Sequence, residues 1–199
     1  DRHRRVLDVA TQAVVDDLLP VVRRFATSDY GIALGGAHAK GTADPESDLD
    51  LYVFSDTILS TDKRVRLLTD FGPPVGGIVS WGDDSPFVQA GTDFLHHELH
   101  VECWMRSRQH IDSSIAECNA GTVRRDMVSW TTTGFYNHCA LSDLQAMIPL
   151  EDPVGMLASW RQQIQVYPPR LRRAIIQQHV QAAAFWPANF HYSSAVERT

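Results

Sequence analysis

Two aspartates one residue apart, Asp48 and Asp50, begin a run that is otherwise apolar, Leu49-Asp50-Leu51-Tyr52-Val53-Phe54. Strand interiors disfavour Asp, and residues two apart on a strand face the same way. Two carboxylates held side by side repel each other unless a cation lies between them. A few residues upstream, a second apolar run, Ile32-Ala33-Leu34, ends in Gly35-Gly36, and a further small-residue turn follows at Gly41-Thr42. The pattern therefore constrains the chain to a strand, a glycine turn, and a second strand with two acidic side chains on one face.

The chemistry follows from the residue types. Two carboxylates together with substrate phosphates are the usual protein arrangement for Mg²⁺. A glycine turn offers backbone N–H groups to those phosphates. The stretch thus points to metal-assisted chemistry on a nucleoside triphosphate.

From Tyr30 to Phe54 the residues resemble the DNA polymerase β-like nucleotidyltransferase superfamily. Many members carry Gly-Ser-x-Ala-x-Gly ahead of Ser-Asp-apolar-Asp-Leu. Here Gly36 takes the family glycine, Ala37 the usual serine, Lys40-Gly41 continues the turn, and Ser47-Asp48-Leu49-Asp50-Leu51 forms the metal-binding strand. The combined elements are far more specific than a lone glycine motif. The resemblance implies a third carboxylate on a later strand, for which Glu102 in Leu99-His100-Val101-Glu102-Cys103-Trp104-Met105 is the first candidate and Glu98 the fallback. It also implies two Mg²⁺ ions held by Asp48, Asp50 and Glu102, and a triphosphate, ATP by analogy, against Gly35, Gly36, Ala37, Lys40 and Ser47. Ala37 departs from the family: it keeps the backbone N–H and lacks the serine hydroxyl. One lost hydrogen bond to a charged group is worth about 1.5–3 kcal/mol.

The expected fold class is α+β: a small mixed β-sheet nucleotidyltransferase core with flanking helices, followed by a C-terminal helical subdomain. Helical periodicity runs over residues 4–26, with Pro20 expected to kink or divide the helix. Strands are expected at Tyr30–Leu34, Leu49–Phe54 and Val75–Trp81, with a fourth, continuous strand at Phe94–Met105. A short helix is expected near 36–41, another over Asp62–Phe71 closed by Gly72-Pro73-Pro74, and a third over Ile111–Cys118 closed by Asn119 or Gly121. From Pro153 the apolar spacing becomes helical, with a break at Pro168-Pro169. This divides the chain into a nucleotidyltransferase domain at 1–150 and a helical subdomain at 151–199.

Composition narrows the partners. The 199 residues carry a net charge of −6, which argues against non-specific duplex DNA binding, since that needs a basic surface. Cys103, Cys118 and Cys139 are odd in number and lack CxxC spacing, which suggests reduced thiols and a cytoplasmic protein. No apolar run reaches membrane-spanning length. The cluster His96-His97-Glu98-Leu99-His100 with Cys103 lacks the His-Glu-x-x-His spacing of a helical zinc site. The aromatics Trp104, Trp130, Trp160, Trp186, Tyr167 and Tyr192 read as core before they read as base-stacking groups. Candidate bases for an acceptor hydroxyl are Asp126, Glu151, Asp152 and Glu197.

The function expected is transfer of a nucleoside monophosphate, AMP by analogy, to the hydroxyl of a small molecule with release of pyrophosphate. The nearest analogues are antibiotic-modifying adenylyltransferases. The alternatives are nucleotidylation of a protein or RNA partner, as in toxin–antitoxin members, and a non-catalytic nucleotide-binding module. The sequence leaves the acceptor, the base preference and the oligomeric state open.

Overall fold

The computed structural model describes residues 7–72, 75–82, 89–127 and 134–189, with side chains to residue 185. Asp8 caps α1 (Val9–Val22), its carboxylate accepting the Thr11 N–H at 2.9 Å. Pro20 does not divide this helix. It lies close enough to the C-terminus that the helix runs on to Val22 and then tightens into a 3₁₀ turn over Arg23–Phe25. There follow β1 (Tyr30–Leu34), α2 (Gly36–Lys40), β2 (Leu49–Ser55), α3 (Thr61–Phe71), β3 (Val75–Trp81), β4 (Ala90–His96), β5 (Leu99–Ser107) and α4 (Arg108–Ala120). The second half adds the two-residue strands β6 (Arg125–Asp126) and β7 (Phe135–Tyr136), then α5 (Cys139–Ala146), β8 (Ile148–Glu151), α6 (Met156–Gln163) and α7 (Pro169–Asn189). The architecture is α+β, as expected.

Six strands form one mixed sheet in the order β3-β4-β5-β2-β1-β8. The β2–β5 pair is parallel and every other neighbouring pair is antiparallel. Strand alternation divides the side chains between two faces. On one face Ile32, Leu34, Leu49, Leu51, Val53, Val101, Cys103 and Met105 pack with Leu18, Val22 and Phe25 of the N-terminal helical segment and with Leu68 of α3. Burying each large side chain of this kind contributes about 1.5–3 kcal/mol. The buried Arg64 of α3 donates to the Trp81 carbonyl at 2.6 Å, which ties that helix to β3.

Among the described residues, the opposite face is covered on one side only. Ala33, Tyr52 and Phe54 pack with Ile111 and Ile115 of α4, Leu144 of α5, Leu157 and Trp160 of α6, and Leu171 of α7. Trp160 also donates its indole N–H to Asp112 at 2.7 Å. Toward β4 and β3, Val79 (61% exposed) and Leu95 (41% exposed) stand in the open on this same face.

The expected single strand over Phe94–Met105 is instead a hairpin, β4 turning into β5 at His97-Glu98. Both turn residues have positive φ, 48° and 69°, the backbone of a two-residue hairpin loop that Asn-Gly would satisfy more cheaply. Glu98, the fallback third ligand, therefore sits at a turn tip rather than on the strand face of Glu102. His96 points into the core and its Nε2 meets Asp17 at 2.9 Å. Among the described residues no helix is long and apolar enough to cross a membrane. Trp130, Tyr192 and Glu197 lie outside the described residues, as do Pro73 and Pro74.

Candidate active site

Parallel pairing of β2 with β5 sets Asp50 opposite Glu102, and antiparallel pairing of β4 with β5 sets Asp93 opposite the same residue. Three adjacent strands thus contribute a carboxylate to the half-open face. Asp48 lies at the entry to β2. Its carboxylate, that of Glu102 and a ring nitrogen of His100 lie within 4.8 Å of one another. Asp48, Asp50 and Glu102, the three carboxylates chosen from sequence, are brought together. Asp93 joins them through the register of the hairpin, which no local pattern reveals, and His100 because it stands two residues before Glu102 on β5.

The glycine turn is locked to the carboxylates. Gly35 donates its N–H to the Asp50 carbonyl at 2.8 Å and precedes α2. Gly36 has φ +55°, and a Cβ there would lie 1.6 Å from Asp50 Oδ2. The Asp50 carboxylate therefore rests directly on the Gly36 backbone, an approach open only to glycine. At Gly35 a Cβ would meet the Tyr52 ring at 2.4 Å. Ala37 opens the first turn of α2, and Lys40 stands exposed at its end. Ser47 is committed to the loop: its hydroxyl donates to Asp44 Oδ1 at 2.8 Å and accepts the Asp44 N–H at 2.9 Å. The described hydroxyl contacts thus shape the approach to Asp48.

Aromatic and cationic groups support the back of the site. Tyr52 stacks at 6.2 Å on Trp104, which meets Trp81 edge-on at 5.2 Å. The buried Arg106 sits over the Tyr52 ring at 5.4 Å and donates to Asp143 of α5 at 3.0 Å. Two of the candidate bases have structural duties. Glu151 is ion-paired with Arg23 and accepts from Tyr30 at 3.0 Å. Asp152 accepts the Leu157 and Ala158 N–H groups at the start of α6, at 3.1 and 2.9 Å.

Crowding and partial burial raise the proton affinity of these carboxylates. Burial and then Asp48 push Asp50 up to about 6, against smaller opposing effects of the nearby Trp104 indole and Lys40. The Trp104 N–H lies close to Asp50 without full hydrogen-bond geometry. Burial, then Asp48, Asp50 and Asp93, push Glu102 up to about 7, with His100 opposing. Burial likewise raises Asp93. A carboxyl whose folded pKa exceeds its unfolded value stabilises the fold below the unfolded value and loses that contribution as pH rises through the folded one. In the cation-free protein the Glu102 contribution is therefore lost between about pH 4.5 and 7. His96 and His138, held below the ordinary histidine value by burial, act in the opposite direction. The difference in Tm between wild type and Glu102→Gln isolates the carboxyl. The substitution is expected to raise Tm more at pH 8 than at pH 5, and saturating divalent cation is expected to shrink that advantage. An advantage independent of pH would contradict the electrostatic reading.

The donor set fits a divalent metal: carboxylates from β2 and β5, crowded and proton-retaining, on a face left open to a substrate. Residues 15–70 match the nucleotidyltransferase domain family. No curated protein sequence matches significantly. Among solved structures, Cid1 in complex with its short product ApU is similar at 22% identity and TM-score 0.34, over 56% of this chain and 33% of that one. Cid1 with the UTP analog UMPNPP is similar at 14% identity and TM-score 0.34, over 77% of this chain and 64% of that one. A cytoplasmic RNA terminal U-transferase is similar at 13% identity and TM-score 0.36, over the same shares. The chain thus spans between one third and two thirds of these structures, and likeness at that level carries no argument about substrate. The domain match encloses the glycine turn and both strand aspartates, the residues that the sheet places beside Glu102, so residues 15–70 are similar to a nucleotidyltransferase domain over the stretch that builds the site.

Proposed function

We propose that this chain transfers a nucleoside monophosphate from a triphosphate to a hydroxyl of a small molecule and releases pyrophosphate. The observation that supports this reading is the contact between Gly36 and Asp50, which holds the glycine turn directly against the strand that carries the aspartate. Asp48, Asp50 and Glu102 would hold the divalent metal, Mg²⁺ in the first instance. When bound, such an ion neutralises phosphate charge and favours ionisation of the attacking hydroxyl. The Gly35–Gly41 turn presents backbone N–H groups to the phosphates, and Lys40 supplies a positive charge beside them. Catalysis then rests on positioning and charge neutralisation.

Charge supports the choice of acceptor. Asp48, Asp50, Asp93 and Glu102 line the face, and the whole chain carries −6. A neutral or cationic small molecule can approach such a surface more readily than a polyanionic RNA. ATP and a cytoplasmic setting remain part of the proposal. A panel of hydroxyl compounds, a tRNA pool and protein substrates, each incubated with labelled triphosphates, tests the acceptor class. Label on a small molecule supports the proposal, and label confined to RNA or polypeptide overturns the acceptor assignment while retaining the chemistry.

Ala37 offers a gain-of-binding test. Ala37→Ser restores the hydroxyl common in the superfamily. A hydrogen bond to charged phosphate contributes about 1.5–3 kcal/mol, so triphosphate affinity in calorimetry is expected to rise about tenfold or more. Unchanged affinity would place the phosphates away from the first turn of α2.

A further inference from the structure

We propose that His100 is a direct ligand of the cation held by Asp48 and Glu102. The site is then a mixed nitrogen–oxygen centre that takes a first-row transition ion, Mn²⁺, Co²⁺ or Zn²⁺, in preference to Mg²⁺. This inference rests on the nucleotidyltransferase reading of the same carboxylates.

Geometry supplies the argument. His100 and Glu102 are two apart on β5, so both face the open side of the sheet. A His100 ring nitrogen lies within 4.8 Å of carboxylate oxygens of both Asp48 and Glu102, a separation that one ion can span with ligand bonds of about 2.0–2.2 Å after small side-chain rotations. The hairpin makes this possible. With its turn at His97-Glu98 at the tip, β5 begins at Leu99 and brings His100 to the same end of the sheet as Asp48. His100 is exposed and its strand partner is Leu95, so no core contact explains its position. The carboxylates facing it are Asp48, Glu102 and Asp93.

Imidazole changes which ion fits. Carboxylates, carbonyls and water suit Mg²⁺, whereas an imidazole nitrogen favours transition ions in the order Mn²⁺, Co²⁺, then Zn²⁺. Even residues that only orient a ligand typically change metal affinity 10–100-fold when replaced. Loss of a direct ligand is therefore expected to exceed about tenfold.

Mn²⁺ alone, added to the full chain, is the probe. Pulsed EPR is expected to show ¹⁴N coupling from one directly bound imidazole, absent in His100→Gln. Mn²⁺ affinity is expected to fall at least about tenfold in that variant, while Mg²⁺ affinity, read by competition, changes less than about threefold. The controls are His97→Gln and Asp48→Asn. His97 belongs to a second group with Asp17 and His96 whose ligand atoms also lie within 4.8 Å of one another. A nitrogen signal that survives His100→Gln and disappears in His97→Gln overturns the proposal. So does carboxylate-dependent Mn²⁺ binding without nitrogen coupling, an outcome that leaves the nucleotidyltransferase reading standing. Mn²⁺ binding unaffected by Asp48→Asn overturns both.

Discussion

Asp50→Asn is expected to abolish nucleotidyl transfer and at the same time to raise the melting temperature of the cation-free protein. The two effects have one cause. Asp50 is held beside Asp48, partly removed from water and with its pKa pushed up to about 6. At neutral pH its charge opposes folding unless a cation is present. Asparagine has nearly the same shape and can still rest on Gly36, so packing is kept while the repulsion is removed. On the proposed mechanism the same substitution removes a charged metal ligand. Loss of a single donor to developing charge already lowers rates by about 10²–10³, and loss of a ligand is expected to reach at least the upper end of that range. The checks are a thermal unfolding scan without divalent cation and a pyrophosphate-release assay with it. Loss of activity with a lower melting temperature would mean that Asp50 stabilises the fold, which the like-charge arrangement does not allow.

Gly36→Ala is expected to be among the most damaging single substitutions in the chain. Its Cβ would lie 1.6 Å from Asp50 Oδ2, and the backbone must also hold φ +55° with a side chain attached. Gly41 separates these two effects. It has φ +71° with nothing within 4 Å of the added Cβ. Gly41→Ala should therefore report the left-handed backbone alone, about 1–2 kcal/mol. Gly36→Ala adds the collision, which can be relieved only by moving the Asp50 carboxylate. A stability loss exceeding that of Gly41→Ala by about 1–3 kcal/mol, with activity lost as well, is the expected result of denaturant titration and assay. Equal losses in the two variants would show that Asp50 swings aside freely, and that the turn does not hold it in place.

The boundaries legible in the sequence were those where period and punctuation agreed. Tyr30–Leu34 and Val75–Trp81 are strands with the expected ends, and the helix after Pro168 begins at Pro169, a residue suited to a first helical turn. The hairpin at His97-Glu98 was hidden because neither residue is a usual positive-φ residue, so an unbroken strand accounted for the apolar alternation equally well. Strand β8 was hidden by Pro149 in so short a run; at the sheet edge it pairs with β1 through a register shift. The candidate site divides in the same way. Asp48, Asp50 and the glycine turn are close in sequence and could be read there. Glu102 could be placed through the superfamily resemblance. His100 shares the face of Glu102 by strand alternation, two residues apart, whereas Asp93 depends on which strands are neighbours and in what register, information carried by long-range pairing rather than by local pattern.

The central claim is that the bond broken lies between the α- and β-phosphates. Parallel reactions with α-labelled and γ-labelled triphosphate, the full chain and the acceptor panel test it directly. The account predicts α-label on the acceptor, all γ-label in pyrophosphate, and neither with Asp50→Asn. Label from the γ-position on the acceptor, or triphosphate consumed without any α-label transferred, would contradict it.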